Sequence, residues 1–168
     1  MGRVLLFAAC ALALSACATV PGNLPTLHYA DAASRGAFAA VLAGRPSTQQ
    51  VDEATQKWTD ALGDSFACRV PTHQVINAGL VGALEIGAMN AASTRGGARE
   101  VRAGVGRYVV TLASLAVHHR DPPDAARCSA LTEWAPRTAE AGRDAVERAR
   151  RNGLMDEDYG LLMDLLAH

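Results

Sequence analysis

Residues 72–118 read THQVINAGLVGALEIGAMNAASTRGGAREVRAGVGRYVVTLASLAVH and hold the two most apolar segments of the chain beyond its first twenty residues. The pair Gly96–Gly97 separates these segments and is typical of a turn. Alanine is abundant and β-branched residues do not alternate with polar ones, so helices are predicted at about 73–92 and 99–118. Because a short turn joins them, we expect an antiparallel helical hairpin at the centre of the fold.

The two predicted helices carry small residues that allow their backbones to approach closely: Gly79, Gly82, Gly87, Gly104 and Gly106. In a hairpin centred near residue 96, positions whose numbers sum to about 192 face one another. Glu85 then lies beside Arg107, and Asn90 lies beside Arg102, so an ion pair would satisfy the Glu85 carboxylate. A membrane-spanning pair of helices is the alternative, but Glu85 and Asn90 interrupt the apolar run.

Apolar residues recur at three- and four-residue steps on both sides of the hairpin. They predict further helices at 32–43, from Ser47 or Thr48 through Leu62, at 125–134, from Pro136 to near Gly153, and a last one that starts at 156–158 and runs through Leu166. The whole pattern therefore predicts an all-α protein, a bundle of six or seven short helices around the hairpin.

The chain begins MGRVLLFAACALALSAC, in which Arg3 precedes an eleven-residue apolar run, Val4–Leu14. This is the layout of a signal peptide, and the run is shorter than the roughly 20 residues that a permanent membrane span needs. Residues Leu14-Ser15-Ala16-Cys17 resemble the lipobox of bacterial lipoproteins. The alternatives are an ordinary secretory signal with an incidental Cys17, or cleavage near Cys10.

The lipobox resemblance implies a lipid anchor and a cellular location. It implies that the Cys17 sulfur receives a diacylglyceryl group, that the bond before Cys17 is cut, and that lipid holds the protein on a membrane. Ala18 in place of an aspartate implies the outer membrane, with the protein facing the periplasm. The protein then divides into a signal peptide, 1–16, a lipidated cysteine and flexible tether, 17–30, and a helical domain, 31–168.

Two of the four cysteines, Cys68 and Cys128, lie at the outer ends of the predicted hairpin. An exported protein meets an oxidising compartment, and only one pairing is left once Cys10 leaves with the signal peptide and Cys17 carries lipid. We therefore predict a Cys68–Cys128 disulfide. A redox or metal-binding pair is the alternative, but neither cysteine belongs to a CxxC motif.

The same end of the hairpin gathers residue types that bind metal ions, namely His73, His118, His119 and Asp121. Adjacent histidines on a helix point about 100° apart, and histidines near a helix C-terminus also interact favourably with its dipole, so a structural role competes with metal binding. Glu85 is the one acid in apolar surroundings and is the candidate catalytic residue. No nucleophile-elbow, zinc-protease or phosphate-loop motif occurs, and no cofactor is predicted.

The formal net charge is −1 and Lys57 is the single lysine, so no excess positive field is available to hold nucleic acid. We expect a lipid-anchored periplasmic protein that binds or scaffolds another envelope component. The helical pilotins of secretion systems are similar in size, lipidation and helicity only. The alternative is an envelope enzyme or metal-binding protein that uses Glu85 or the histidines, and an enzyme is the less favoured of these roles.

Overall fold

The computed structural model describes residues 24–37, 43–118 and 120–159, and this part of the protein contains five α-helices and no strand. The helices are α1 Ala30–Ser34, α2 Thr48–Ala67, α3 Thr72–Ser93, α4 Ala98–Val117 and α5 Ala125–Arg151. The predicted all-α class is confirmed. The predicted number of six or seven helices is too high for these residues because 125–134 and Pro136–Gly153 form one helix. Most of the predicted last helix, residues 160–166, lies outside the described residues.

Helix α3 is the centre of the bundle, with 16 of its 22 residues buried. It packs against α4 in the predicted hairpin, and the two backbones meet at Gly87 and Gly104. A Cβ atom on Gly104 would lie 2.7 Å from the Cα of Gly87, so neither position has room for a side chain. The two numbers sum to 191, which confirms the predicted register.

Helix α3 is also the one described helix that is long and apolar enough to cross a membrane, with a mean hydropathy of 1.3 over its most apolar window. However, 89% of that window is buried inside the protein. Burial of this kind is typical of the core helix of a globular bundle, which passes the same test of length and composition.

Two tryptophans fill the core between α3 and its other neighbours. Trp58 of α2 packs on Gly82 of α3, and a Cβ atom added to Gly82 would lie 2.5 Å from the indole ring of Trp58. The ring of Trp134 of α5 lies with its centroid 5.6 Å from that of Trp58, in a tilted arrangement. Glycine on α3 thus makes room for an aromatic pair, whose buried surface is a major stabilising contribution to the bundle.

The beginnings and ends of the outer helices follow from local side chains. Ser47 caps α2: its hydroxyl accepts from the backbone N–H of Gln50, whose side chain accepts from the N–H of Ser47. This confirms the predicted start of α2. Helix α1 ends at Ser34 within the predicted helix 32–43, because Gly36 adopts a φ of +69° that terminates the helix. Residues 38–42 of that prediction lie outside the described residues.

Helix α5 continues through Pro136, where two separate helices were predicted. Proline inside a helix removes one backbone hydrogen bond and costs about 3 kcal/mol. Buried residues on both sides, including Trp134, Ala135 and Gly142, hold the helix against α3. Their burial offsets the local cost of the proline, so tertiary packing decides the length of α5.

The Cys68–Cys128 disulfide is present and joins the end of α2 to the first turn of α5, with a Cα–Cα distance of 5.3 Å. It closes a loop of 60 residues that contains the whole α3–α4 hairpin. The predicted pairing and its position at the outer end of the hairpin are therefore confirmed.

Residues 24–30, which belong to the predicted tether, pack against the bundle. The indole Nε1 of Trp134 donates a 3.2 Å hydrogen bond to the carbonyl oxygen of Pro25, and Ala30 is buried in the main core. The packed part of the protein therefore begins no later than Leu24. The lipobox and Cys17 lie outside the described residues.

Candidate functional site

Glu85 of α3 is a fully enclosed carboxylate, 1% exposed, that accepts hydrogen bonds from three consecutive backbone N–H groups. Its Oε1 accepts from His28 at 2.8 Å and from Tyr29 at 3.0 Å. Its Oε2 accepts from Tyr29 at 2.9 Å and from Ala30 at 2.7 Å. The carboxylate thus satisfies the free donors at the start of α1 and attaches the N-terminal segment to the central helix.

The predicted ion pair between Glu85 and Arg107 is wrong, although the hairpin register that suggested it is right. Gly87 faces α4, and a residue two positions earlier on a helix points about 200° away from it. Glu85 therefore faces α1, and Arg107 is exposed. The predicted contact between Asn90 and Arg102 is also absent from the hydrogen bonds of these two residues. The Nε of Arg102 donates to the carbonyl oxygen of Gly153, and the side-chain amide of Asn90 donates to the carbonyl oxygen of Ile86.

Burial raises the pKa of the Glu85 carboxyl, the backbone donors of residues 28–30 lower it, and the net shift is upward. A cavity of about 250 Å³ between the N-terminal segment and α2 reaches this residue. A catalytic acid must exchange a proton with substrate, and here both oxygens are occupied by backbone donors. The geometry is that of a group that organises the fold.

The opposite side of the N-terminal segment is attached to α5. Arg148 donates from Nη2 to the carboxylate of Asp31 at 2.6 Å and from Nε to the hydroxyl of Ser34 at 3.3 Å. The amide of Asn152 donates to the carbonyl of Ser34 at 2.9 Å. Helix α1 is therefore held between α3 and α5 by its N-terminus and by its polar face.

Two of the histidines predicted as metal ligands, His73 and His118, are exposed and lie apart. His73 lies at the start of α3 beside α5, whereas His118 lies at the end of α4 and lines a different cavity, with Phe66 and Arg120. Asp121 is exposed, and His119 is outside the described residues. No group of three His, Cys, Asp or Glu side chains suited to a metal ion occurs in the described part of the protein.

Two hydroxyl–imidazole contacts resemble parts of a hydrolase site but differ from it in geometry. The Nδ1 of His118 lies 3.4 Å from the hydroxyl of Ser114 and 2.7 Å from its carbonyl oxygen. A carbonyl only accepts, so Nδ1 carries the proton there and is unable to act as a base toward the hydroxyl. Thr26 and His28, 2.9 Å apart, form a local pair on an exposed segment.

An ion-pair network joins the same two helices as the disulfide. Asp64 of α2 accepts from Arg120 at 3.1 Å and from Arg127 of α5 at 3.3 Å, and Arg120 also lies 3.5 Å from Asp60. The Arg120 guanidinium packs over Gly63, whose Cβ position is 3.0 Å from Nη1. These charges are balanced among themselves and reinforce the connection that Cys68–Cys128 makes.

An open groove of about 330 Å³ lies between α3 and α5, and we call it the α3–α5 groove. Its floor is apolar and consists of Leu80, Val81 and Val146. Its rims are polar and include His73, Gln74 and Asn77 on α3 and Glu140, Arg143, Glu147 and Arg150 on α5. An apolar floor with polar rims is typical of a surface that binds another molecule.

Charges on the α5 rim of this groove are unequally compensated. Arg143 pairs with Glu140, and Glu147 lies 4.0 Å from Arg151. The Nε of Arg150 is buried and has no hydrogen-bond partner among the residues that the structure describes. A buried donor without a partner is rare in proteins and costs stability.

The α3–α5 groove was not predicted from the sequence. Arg143, Val146 and Arg150 are spaced at three and four residues and so share one face of α5. That spacing was visible, but the α3 face that completes the groove depends on how α5 crosses the hairpin. Comparisons of the sequence and the fold with protein-family models, with curated proteins and with solved structures find no match.

Proposed function

We propose that this is a lipid-anchored protein of the bacterial cell envelope, facing the periplasm from the outer membrane, which binds or scaffolds another envelope component. The lipobox-like residues Leu14–Cys17 support the anchor, and a disulfide suits an oxidising compartment. The α3–α5 groove is the observation that carries the binding role.

The anchor would place the bundle close to the membrane. Cys17 precedes Leu24 by seven residues, which reach at most about 25 Å when extended. Leu24 and Pro25 line a cavity with residues of α2, and the backbone is attached to the bundle from that point onward. Two or three acyl chains, each contributing about 0.8 kcal/mol per buried methylene, are sufficient for a stable anchor.

The groove supports a binding role because its polar rims and apolar floor are both available on the surface. The rest of α3 is used to build the core, whereas His73, Gln74 and Asn77 at its beginning project toward the groove rim. A partner that covers Leu80, Val81 and Val146 would gain apolar contact without disturbing the packing of the bundle.

Site-specific photo-crosslinking in native membranes tests this function. A photoreactive residue at Gln74 or Arg143 is expected to yield an adduct with the same envelope protein from both rims of the groove. The control position is exposed Thr111 on α4, which lies outside the groove. The proposal fails if the groove positions yield no adduct, or if Thr111 yields the same adducts in equal amounts.

A further inference from the structure

The shape of the α3–α5 groove favours an elongated occupant. Its α5 rim runs from Pro136 to Arg150, a distance of about 21 Å along a helix that rises 1.5 Å per residue. A volume of about 330 Å³ spread over that length makes a shallow channel. An extended peptide of about six residues has this length, and its alternate side chains can point toward one surface.

The chemistry of the rims favours a peptide with one negative charge. Gln74 and Asn77 present side-chain amides, which both donate to and accept from a peptide backbone. Among the described residues, Arg150 forms no ion pair with an acid, while Arg143 on the same rim is paired with Glu140. The planar fork of a guanidinium matches a carboxylate in a bidentate way.

We infer that the α3–α5 groove binds an extended segment of the partner protein in which a carboxylate, from Asp, Glu or a free C-terminus, adjoins apolar side chains. The carboxylate pairs with Arg150, and the apolar side chains cover Leu80, Val81 and Val146. Charge complementarity with an uncompensated arginine is the reason for choosing an acidic segment over a neutral or basic one. This inference rests on the proposed function and specifies the partner class.

The test begins with selection from a library of random linear peptides on the purified full-length protein. Selected peptides are expected to share an acidic residue or a free C-terminus next to apolar residues. Absence of any selected peptide, or selection of sequences without a carboxylate near apolar residues, overturns the inference.

Affinity measurements on one selected peptide then locate the contact. Replacing its carboxylate by an amide and substituting Arg150→Gln are each expected to weaken binding about tenfold, with little further loss when both are changed. Arg150→Lys keeps the positive charge but lacks the planar guanidinium, so its affinity for the peptide should lie between those of the original protein and Arg150→Gln. Arg151→Gln is the matched control, since Arg151 is the neighbouring exposed arginine, paired with Glu147. Independent effects of peptide and Arg150 substitutions contradict the assigned pairing.

The two experiments together separate this inference from the proposed function. A partner that crosslinks to Gln74 and Arg143 but binds Arg150→Gln as tightly as the original protein retains the proposed function and overturns the acidic-segment inference. A peptide that binds through Arg150 when no envelope protein crosslinks overturns the proposed function alone. Circular dichroism and the unfolding midpoint of Arg150→Gln show whether the bundle itself is intact.

Discussion

The backbone N–H of Ala30 donates a 2.7 Å hydrogen bond to Oε2 of Glu85, a residue 55 positions later in the sequence. Together with the N–H groups of His28 and Tyr29, it attaches the N-terminal segment to α3 through one buried side chain. An enclosed acid in an apolar helix is thus bound by backbone donors instead of by an arginine.

Replacing Glu85 by glutamine is expected to destabilise the protein by about 1–3 kcal/mol, because the amide removes one acceptor and adds a donor facing the N–H groups of residues 28–30. Chemical denaturation measures the loss, and amide hydrogen exchange at residues 28–30 should accelerate beyond the rest of the bundle. Glu53→Gln is the control, because Glu53 lines the same cavity but is exposed. Equal effects of the two substitutions would show that the backbone contacts of Glu85 are unimportant.

The contribution of Glu85 to the free energy of unfolding is expected to decrease as pH rises. Burial raises the pKa of Glu85 in the folded protein above its ordinary value of 4.5. At a pH between 4.5 and that raised pKa, the folded protein therefore binds more protons than the unfolded protein. The stability contributed by Glu85 therefore falls as pH rises through the interval above 4.5, and it is constant above the folded pKa. Unfolding free energies of the original protein minus those of Glu85→Gln, followed from acid to neutral pH, check this. A difference that grows with pH would show that the backbone donors outweigh burial.

Substituting Gly104→Ala is expected to cost about 1–3 kcal/mol, because the new methyl group would overlap the Cα of Gly87 and force α3 and α4 apart. The higher helix propensity of alanine offsets only about 1 kcal/mol of this. Gly97→Ala is the matched control, since a Cβ atom there meets nothing within 4 Å. Urea unfolding of both variants decides the matter, and a Gly104→Ala variant as stable as Gly97→Ala would contradict the close approach.

Removing the disulfide with Cys68→Ser and Cys128→Ser is expected to lower the free energy of unfolding by about 4 kcal/mol, the chain-entropy value for closing a loop of this length. Peptide mass spectrometry without reductant should show Cys68 linked to Cys128 in protein taken from the periplasm. Each single variant should be about as unstable as the double variant. Two free thiols in the exported protein would contradict the predicted oxidised state.

Substituting Cys17→Ser is expected to abolish acylation and to move the protein out of the membrane fraction, because serine lacks the thiol that takes a thioether-linked lipid. Mass spectrometry of the N-terminal peptide and membrane flotation measure the two effects. Cys10→Ser is the matched control and should leave both unchanged. Persistence of the acyl mass in Cys17→Ser would overturn the lipobox prediction.

Local patterns in the sequence predicted the features that depend on neighbouring residues. Ser47 or Thr48 was predicted to begin α2, and Ser47 does so; the small residues around the Gly96–Gly97 turn marked the α3–α4 hairpin in its correct register. The disulfide followed from the small number of cysteines and from that hairpin. The helix start and the hairpin need only residues a few positions apart or one short turn, and the disulfide needs in addition only the count of cysteines left to pair.

Features that depend on the direction of a side chain were beyond such patterns. The register gave the correct position of Glu85 along α3 relative to α4. The direction of its side chain, however, follows from Gly87 being on the face of α3 that packs against α4. Proline statistics ended a helix at Pro136, whereas burial of Trp134 and Gly142 continues it. The α3–α5 groove arises only after α5 has crossed the hairpin, and no local spacing specifies that crossing.

The attachment of residues 28–30 to Glu85 also determines where mechanical load would enter the fold. Glu85 is the fourteenth of the 22 residues of α3, the most buried helix of the bundle. A pull applied through a membrane anchor at Cys17 would reach the hydrogen bond between Pro25 and Trp134 first and this carboxylate next, before it reached α4 or the disulfide. Tension would then be resisted by several backbone hydrogen bonds loaded together at the central helix, and the bundle would bear it as a unit without unravelling from its N-terminal end.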